Sequence, residues 1–127
     1  MTPMRIFKTP WFTRFADKEH IVDESLRDGV NQLEAGQFDA NLGGGVYKQR
    51  LARGGEGKSG GYRVLICFRQ GTRSFFMYGF PKSSRENISA SEKADIKKLA
   101  KILFAMTDEQ LDEKVKAGAF QEIKSEG

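Results

Sequence analysis

Residues 62–69, Tyr-Arg-Val-Leu-Ile-Cys-Phe-Arg, and residues 74–80, Ser-Phe-Phe-Met-Tyr-Gly-Phe, flank a Gln70-Gly71-Thr72 turn. Both runs are rich in β-branched and aromatic residues, so 62–80 reads as an antiparallel hairpin ended by Pro81. Along the first strand, side chains alternate between faces. Tyr62, Val64, Ile66 and Phe68 share one side; Arg63, Leu65, Cys67 and Arg69 share the other. The preceding run, Val46 to Leu51, also alternates, with Val46, Lys48 and Arg50 opposed to Tyr47, Gln49 and Leu51. Asn41-Leu-Gly-Gly-Gly45 reads as a loop without the spacing or Lys-Ser/Thr of a phosphate-binding P-loop. Arg53 to Gly61 is a glycine-rich linker holding Lys58, either a mobile hairpin loop or a segment that orders on a ligand.

Working outward, Arg5 to Thr9 reads as a first strand, and Pro10 suits the first turn of a helix carrying Trp11, Phe12 and Phe15. Ile21, Val22, Leu26, Val30 and Leu33 follow a helical spacing that stops near Gly36. These helical apolar positions read as core. Ser89-Ala-Ser-Glu92 and Thr107-Asp-Glu-Gln110 are capping boxes, each opening a C-terminal helix. The first would carry Ile96, Leu99, Ala100, Leu103 and Phe104 onto the sheet; the second would end near Gly118. The expected fold class is α+β, with one small antiparallel sheet, N-terminal helices and a C-terminal helix packed on it. The chain reads as one domain over 1–127.

Composition narrows the chemistry. At 127 residues, with 39% hydrophobic and 30% charged side chains, the chain is an ordinary globular protein. One cysteine and one histidine leave no disulfide framework and no His- or Cys-based metal cluster, and no cofactor is expected. No apolar run is long enough for a bilayer and no signal-peptide core is present, so the expected location is cytoplasmic. His20 reads as a surface or helix-boundary residue, and Cys67 as a buried, inert small hydrophobe.

The net charge of +4 conceals a sharp asymmetry. Residues 43–85 hold nine cations (Lys48, Arg50, Arg53, Lys58, Arg63, Arg69, Arg73, Lys82 and Arg85) against Glu56 alone, while both flanks are slightly acidic. Such a block suits a polyanion-facing surface. Lys48 and Arg50 project from one strand face, Arg63 opens the next strand, and Lys82 follows the third. If the strands are adjacent, these four meet at one end of the sheet, with Arg53 and Lys58 on the loop above, and bind phosphates by charge and guanidinium forks. Tyr47, Tyr62, Phe76, Tyr78 and Phe80 add rings that either fill the core or stack on bases.

Tyr47-Lys-Gln-Arg50-Leu-Ala-Arg53, a glycine-rich gap, Gly61-Tyr-Arg63 and Tyr78-Gly-Phe-Pro-Lys82-Ser together resemble the RelE/ParE/HigB superfamily of bacterial toxins, RelE-type branch. The likeness covers about residues 4–106, with 107–127 as a helical extension. It implies a RelE-like microbial ribonuclease fold and a toxin of a type II toxin–antitoxin system. The toxin would cut mRNA in the ribosomal A site by attack of a ribose 2′-hydroxyl on the adjacent phosphate, without a metal, and so inhibit translation. Matched positions make Lys48, Arg50, Arg63 and Lys82 the catalytic set. Lys48 is the candidate base, because cations crowded around a lysine favour its neutral amine. Arg50 and Arg63 would stabilise phosphorane charge, and Lys82 would donate to the leaving oxygen or hold the phosphate. Arg53, Lys58, Arg85, Tyr47, Tyr62 and Tyr78 would bind RNA. Arg50 stands where RelE usually has lysine, and Asn87 and Ile88 occupy the region of its stacking tyrosine.

The implied partners are a cognate antitoxin, expected as a helix-turn-helix protein from an adjacent gene, together with ribosome and mRNA, and no membrane. Two other readings stand beside the nuclease: a ParE-like toxin acting on gyrase by binding, and a non-toxic nucleic-acid-binding module.

Overall fold

The computed structural model describes residues 4–51, 61–69, 71–81 and 88–123. In chain order the elements are β1 (Arg5–Lys8), α1 (Pro10–Glu19), α2 (Asp23–Glu34), β2 (Ala40–Gly43), β3 (Val46–Leu51), β4 (Tyr62–Arg69), β5 (Arg73–Pro81), α3 (Ala90–Ala105), α4 (Asp108–Lys116) and β6 (Gln121–Ile123). The strands form one sheet in the order β2-β3-β4-β5-β1-β6. The α+β class is as expected from the sequence, but the sheet is mixed: β1 lies parallel to β5, and the other pairs are antiparallel. Helices α1 and α2 return the chain across the sheet between β1 and the rest, which is what a parallel pair needs.

Each sheet face has its own core. Phe12, Ala16, Leu26, Val30 and Leu33 of α1 and α2 pack on Leu51, Tyr62, Val64, Ile66, Phe68 and Phe76. Ile96, Ala100 and Leu103 of α3 and Leu111 of α4 cover Val46, Leu65, Cys67, Phe75 and Met77. β4 is therefore enclosed from both sides, and every residue from Tyr62 to Phe68 is buried.

Helix boundaries follow local chemistry. Thr9 caps α1 with its hydroxyl accepting from Phe12 N–H, and Pro10 fills the first turn. His20 terminates α1 in the left-handed region, φ 57°, a boundary role rather than a catalytic one. Both capping boxes are formed, Ser89 with Glu92 and Thr107 with Gln110.

Two stretches differ from the sequence-based expectation. The stretch 41–45, expected as a loop, begins within β2, and its glycines close a tight hairpin into β3. Gly45 has φ 82°, and a Cβ there would lie 2.6 Å from the Phe104 ring, so both backbone and packing demand glycine. The stretch expected as an extension after residue 106 is built into the fold instead. β6 pairs with β1, and Arg5 ties the ends of the chain together. Its guanidinium donates to both Glu122 oxygens at 2.9 Å and to Asp112 at 2.7 Å. The Glu122 hydrogen bonds, aided by Asp112, hold Arg5 even more firmly protonated than usual.

Candidate active site

Strand register brings the cations together. β3 and β4 pair so that Arg50 stands directly opposite Arg63, and Lys48 opposite Leu65. β4 and β5 place Leu65 opposite Tyr78, and Arg63 opposite Phe80. Two rows thus cross the sheet on its α3 side: Lys48, Leu65, Tyr78, and then Arg50, Arg63, Phe80. Both rows depend on a bulge. The register shifts at Leu65/Ile66 so that Ile66 faces Phe76, Leu65 faces Tyr78, and Met77 is the extra residue. Phe76 consequently packs on the α1/α2 side while Tyr78 packs on the cationic side.

An aspartate stands among these cations. Asp39, just before β2, anchors its backbone by donating its N–H to Lys48 O at 3.0 Å. Its carboxylate lies 3.6 Å from Lys48 Nζ, 3.4 Å from Arg50 Nε and 3.3 Å from Arg63 Nε. Composition counts Asp39 into the acidic flank, and nothing local to residue 39 marks it for the site. Its place as the last acid before the basic block is the one available signal. Arg63 has just 6% of its side chain exposed, and among the described residues neither its Nε nor its Nη1 makes a hydrogen bond. The 3.3 Å approach to Asp39 is therefore a Coulombic contact without hydrogen-bond direction.

The expected aromatic surfaces divide. Tyr62 is 3% exposed on the α1/α2 side, and its hydroxyl donates to Glu19 at 3.0 Å. It is a core residue, facing away from the cations and unable to stack on a base. Tyr47 faces the same way, edge-on to Phe38 and Phe68 at 5.0 and 5.7 Å. Tyr78 stays on the cationic side, half-buried, 5.8 Å from the Trp11 ring. Trp11 reads as core in the sequence, yet it is 41% exposed. Trp11 shares its helix stripe with Phe15, which packs on the α1/α2 core, but it stands a turn earlier, at the helix start, where its ring meets Tyr78 instead. Arg53, Lys58, Lys82 and Arg85 lie outside the described residues.

A family model described as RelE toxin of the RelE / RelB toxin-antitoxin system matches residues 4–123. The chain belongs to the RelE family. No curated protein matches it. As a RelE-type toxin it has an antitoxin for its partner. The match runs through α4, which covers one sheet face, and β6, which pairs with β1. Among the described residues of this toxin, no helix is long and apolar enough to cross a membrane.

Cys67 lies in the wall of the same face, two residues from Leu65 along β4. Burial pushes its thiol up to about 12, which starves it of the nucleophilic thiolate. In the native toxin at pH 8, Cys67 is expected to resist an alkylating reagent for hours, and to react within minutes once unfolded in denaturant. Rapid labelling of the folded protein would contradict this packing.

Proposed function

We propose that this RelE-family toxin is a metal-independent, ribosome-dependent endoribonuclease that halts translation by cutting mRNA. The observation that carries the reading is the convergence of Lys48, Arg50 and Arg63 on one end of one sheet face. Arg50 and Arg63 are paired across the strands, where like charges repel each other. A protein keeps such a pair where an anion visits, and a phosphodiester supplies one.

The ribose 2′-oxygen attacks the adjacent phosphorus, the bond from phosphorus to the 5′-oxygen breaks, and a 2′,3′-cyclic phosphate and a 5′-hydroxyl result. Lys48 takes the 2′-hydroxyl proton. Arg50 and Arg63 stabilise the charge that accumulates on the non-bridging oxygens. Lys82 protonates the leaving 5′-oxygen or holds the phosphate, with Arg53, Lys58 and Arg85 along the RNA backbone. Tyr78 and Trp11 offer a ring pair beside the cations on which a base can stack.

Inducing the chain without an antitoxin tests the proposal. Growth arrest is expected with mRNA cut in translating ribosomes and uncut in a ribosome-free digest. The Lys48→Ala, Arg63→Ala double variant is expected to relieve the arrest and abolish cutting. Arrest that persists in that variant would overturn the nuclease and favour a toxin that acts by binding.

A further inference from the structure

The cationic cluster already holds an anion of its own. We propose that the Asp39 carboxylate sits in the seat of the substrate phosphate, as an internal counter-ion that the phosphate must displace. This rests on reading Lys48, Arg50 and Arg63 as the phosphate-binding set, and it names where on that set the phosphate sits.

Three observations carry the proposal. First, the carboxylate lies within 3.3–3.6 Å of all three cations. Carboxylate and phosphate oxygens compete for the same guanidinium and ammonium donors. Second, Arg63 is buried, yet its Nε and Nη1 find no hydrogen-bond acceptor among the described residues. Buried donors are ordinarily satisfied, and exceptions cluster at functional sites. The planar carboxylate of Asp39 neutralises Arg63 in part without meeting its donors. A tetrahedral phosphate, with more oxygens in more directions, can meet them. Third, the seat is reachable. The Arg50 side chain is 45% exposed and that of Asp39 19%, so the carboxylate is not sealed from solvent. The backbone bond from Asp39 N–H to Lys48 O holds the chain in place, so side-chain rotation alone can withdraw the carboxylate.

The consequence is selectivity. A stray polyanion must compete with a tethered carboxylate, whereas an RNA strand seated by further contacts can displace it. The free toxin thereby binds phosphate less tightly than its three cations alone would.

The test is binding of a single-stranded 2′-deoxy oligonucleotide, followed by fluorescence anisotropy, with inorganic phosphate as competitor. The probe lacks the attacking hydroxyl, so it reports occupancy without cleavage. Asp39→Asn is expected to bind the probe about tenfold more tightly, because a like charge within a few ångströms of the phosphate is gone. Asp39→Glu is expected to stay near wild-type affinity, and adding Arg63→Met to Asp39→Asn is expected to erase the gain. Unchanged or weaker binding by Asp39→Asn would overturn the proposal and make the aspartate a scaffold. A second measurement uses the unaltered protein: the Asp39 carboxylate ¹³C resonance should move on phosphate addition, and a static resonance overturns the exchange. Tighter binding by Asp39→Asn in a protein that never cuts RNA would leave the seat standing and sink the nuclease.

Discussion

Arg63→Met is expected to lower mRNA cutting by about 10²–10³-fold, the usual effect of removing one preorganised charge donor, while leaving the protein as stable as before or more so. The two halves of this result have one cause. Arg63 is buried in the most enclosed strand of the sheet, with Nε and Nη1 unmet, and it faces another arginine across the ladder. Burying an ion so poorly paired opposes folding. Replacing buried ion pairs by apolar residues is often neutral, or stabilising by about 1–4 kcal/mol, and removing one partner is costly only where it strands the other. Asp39 keeps Lys48 and Arg50 as partners in the variant, so no carboxylate is stranded. Growth after induction and the thermal midpoint check the two halves separately. A midpoint that falls steeply along with toxicity would make Arg63 a structural residue.

Deleting residues 107–127 is expected to abolish cooperative folding. The deletion removes β6 from beside β1, where Ile6 pairs with Ile123 and Lys8 with Gln121. It takes away Leu111 and Ile123, both essentially buried, each worth about 1.5–3 kcal/mol. It also removes Phe120, whose ring packs 6.2 Å from Phe7, and the carboxylates that hold Arg5. Hydrogen bonds to such a charged group contribute about 1.5–3 kcal/mol. The sum approaches the ~5–15 kcal/mol that holds a domain of this size together. A chain ending at Met106 should therefore show no thermal transition and rapid amide exchange in β1. A sharp transition near the full-length midpoint would instead make 107–127 the separable extension that the sequence suggests.

Where the pattern was short and periodic, the sequence could be read directly. Period-two alternation puts Lys48 and Arg50 on one face of β3 and Arg63 with Leu65 on one face of β4, and the register of β3 on β4 sets all three on the same side. Pro10, Gly36 and the two capping boxes marked helix ends through contacts within one turn. The edge strands escaped notice for a physical reason. β2, Ala40-Asn-Leu-Gly43, holds no β-branched or aromatic side chain, and Gln121-Glu122-Ile123 has no alternation to detect. Both become strands because a partner offers hydrogen bonds, β3 across a tight hairpin for β2 and β1 from the other end of the chain for β6. Trp11 shares the Phe15 stripe by period, and only the placement of the helix start decides that its ring stays 41% exposed.

The candidate site divides the same way. Residue types and strand parity, which are local, put Lys48 and Arg50 on one strand face and raise the expectation of phosphate chemistry if a neighbouring strand brings Arg63 beside them. What had to await the folded chain was everything set by closure over long separations. The bulge at Met77 turns Tyr78 toward the cations and Phe76 away from them, and no property of Phe-Phe-Met-Tyr alone announces that slip. The same holds for Tyr62, whose ring the face-covering helices α1 and α2 draw into the core. Asp39 meets Arg63 across 24 positions of sequence because β2, β3 and β4 fold edge to edge. Composition sees an acidic flank and a basic block there. Folding sets one acid from the first among three bases of the second, and turns a charge count into a site.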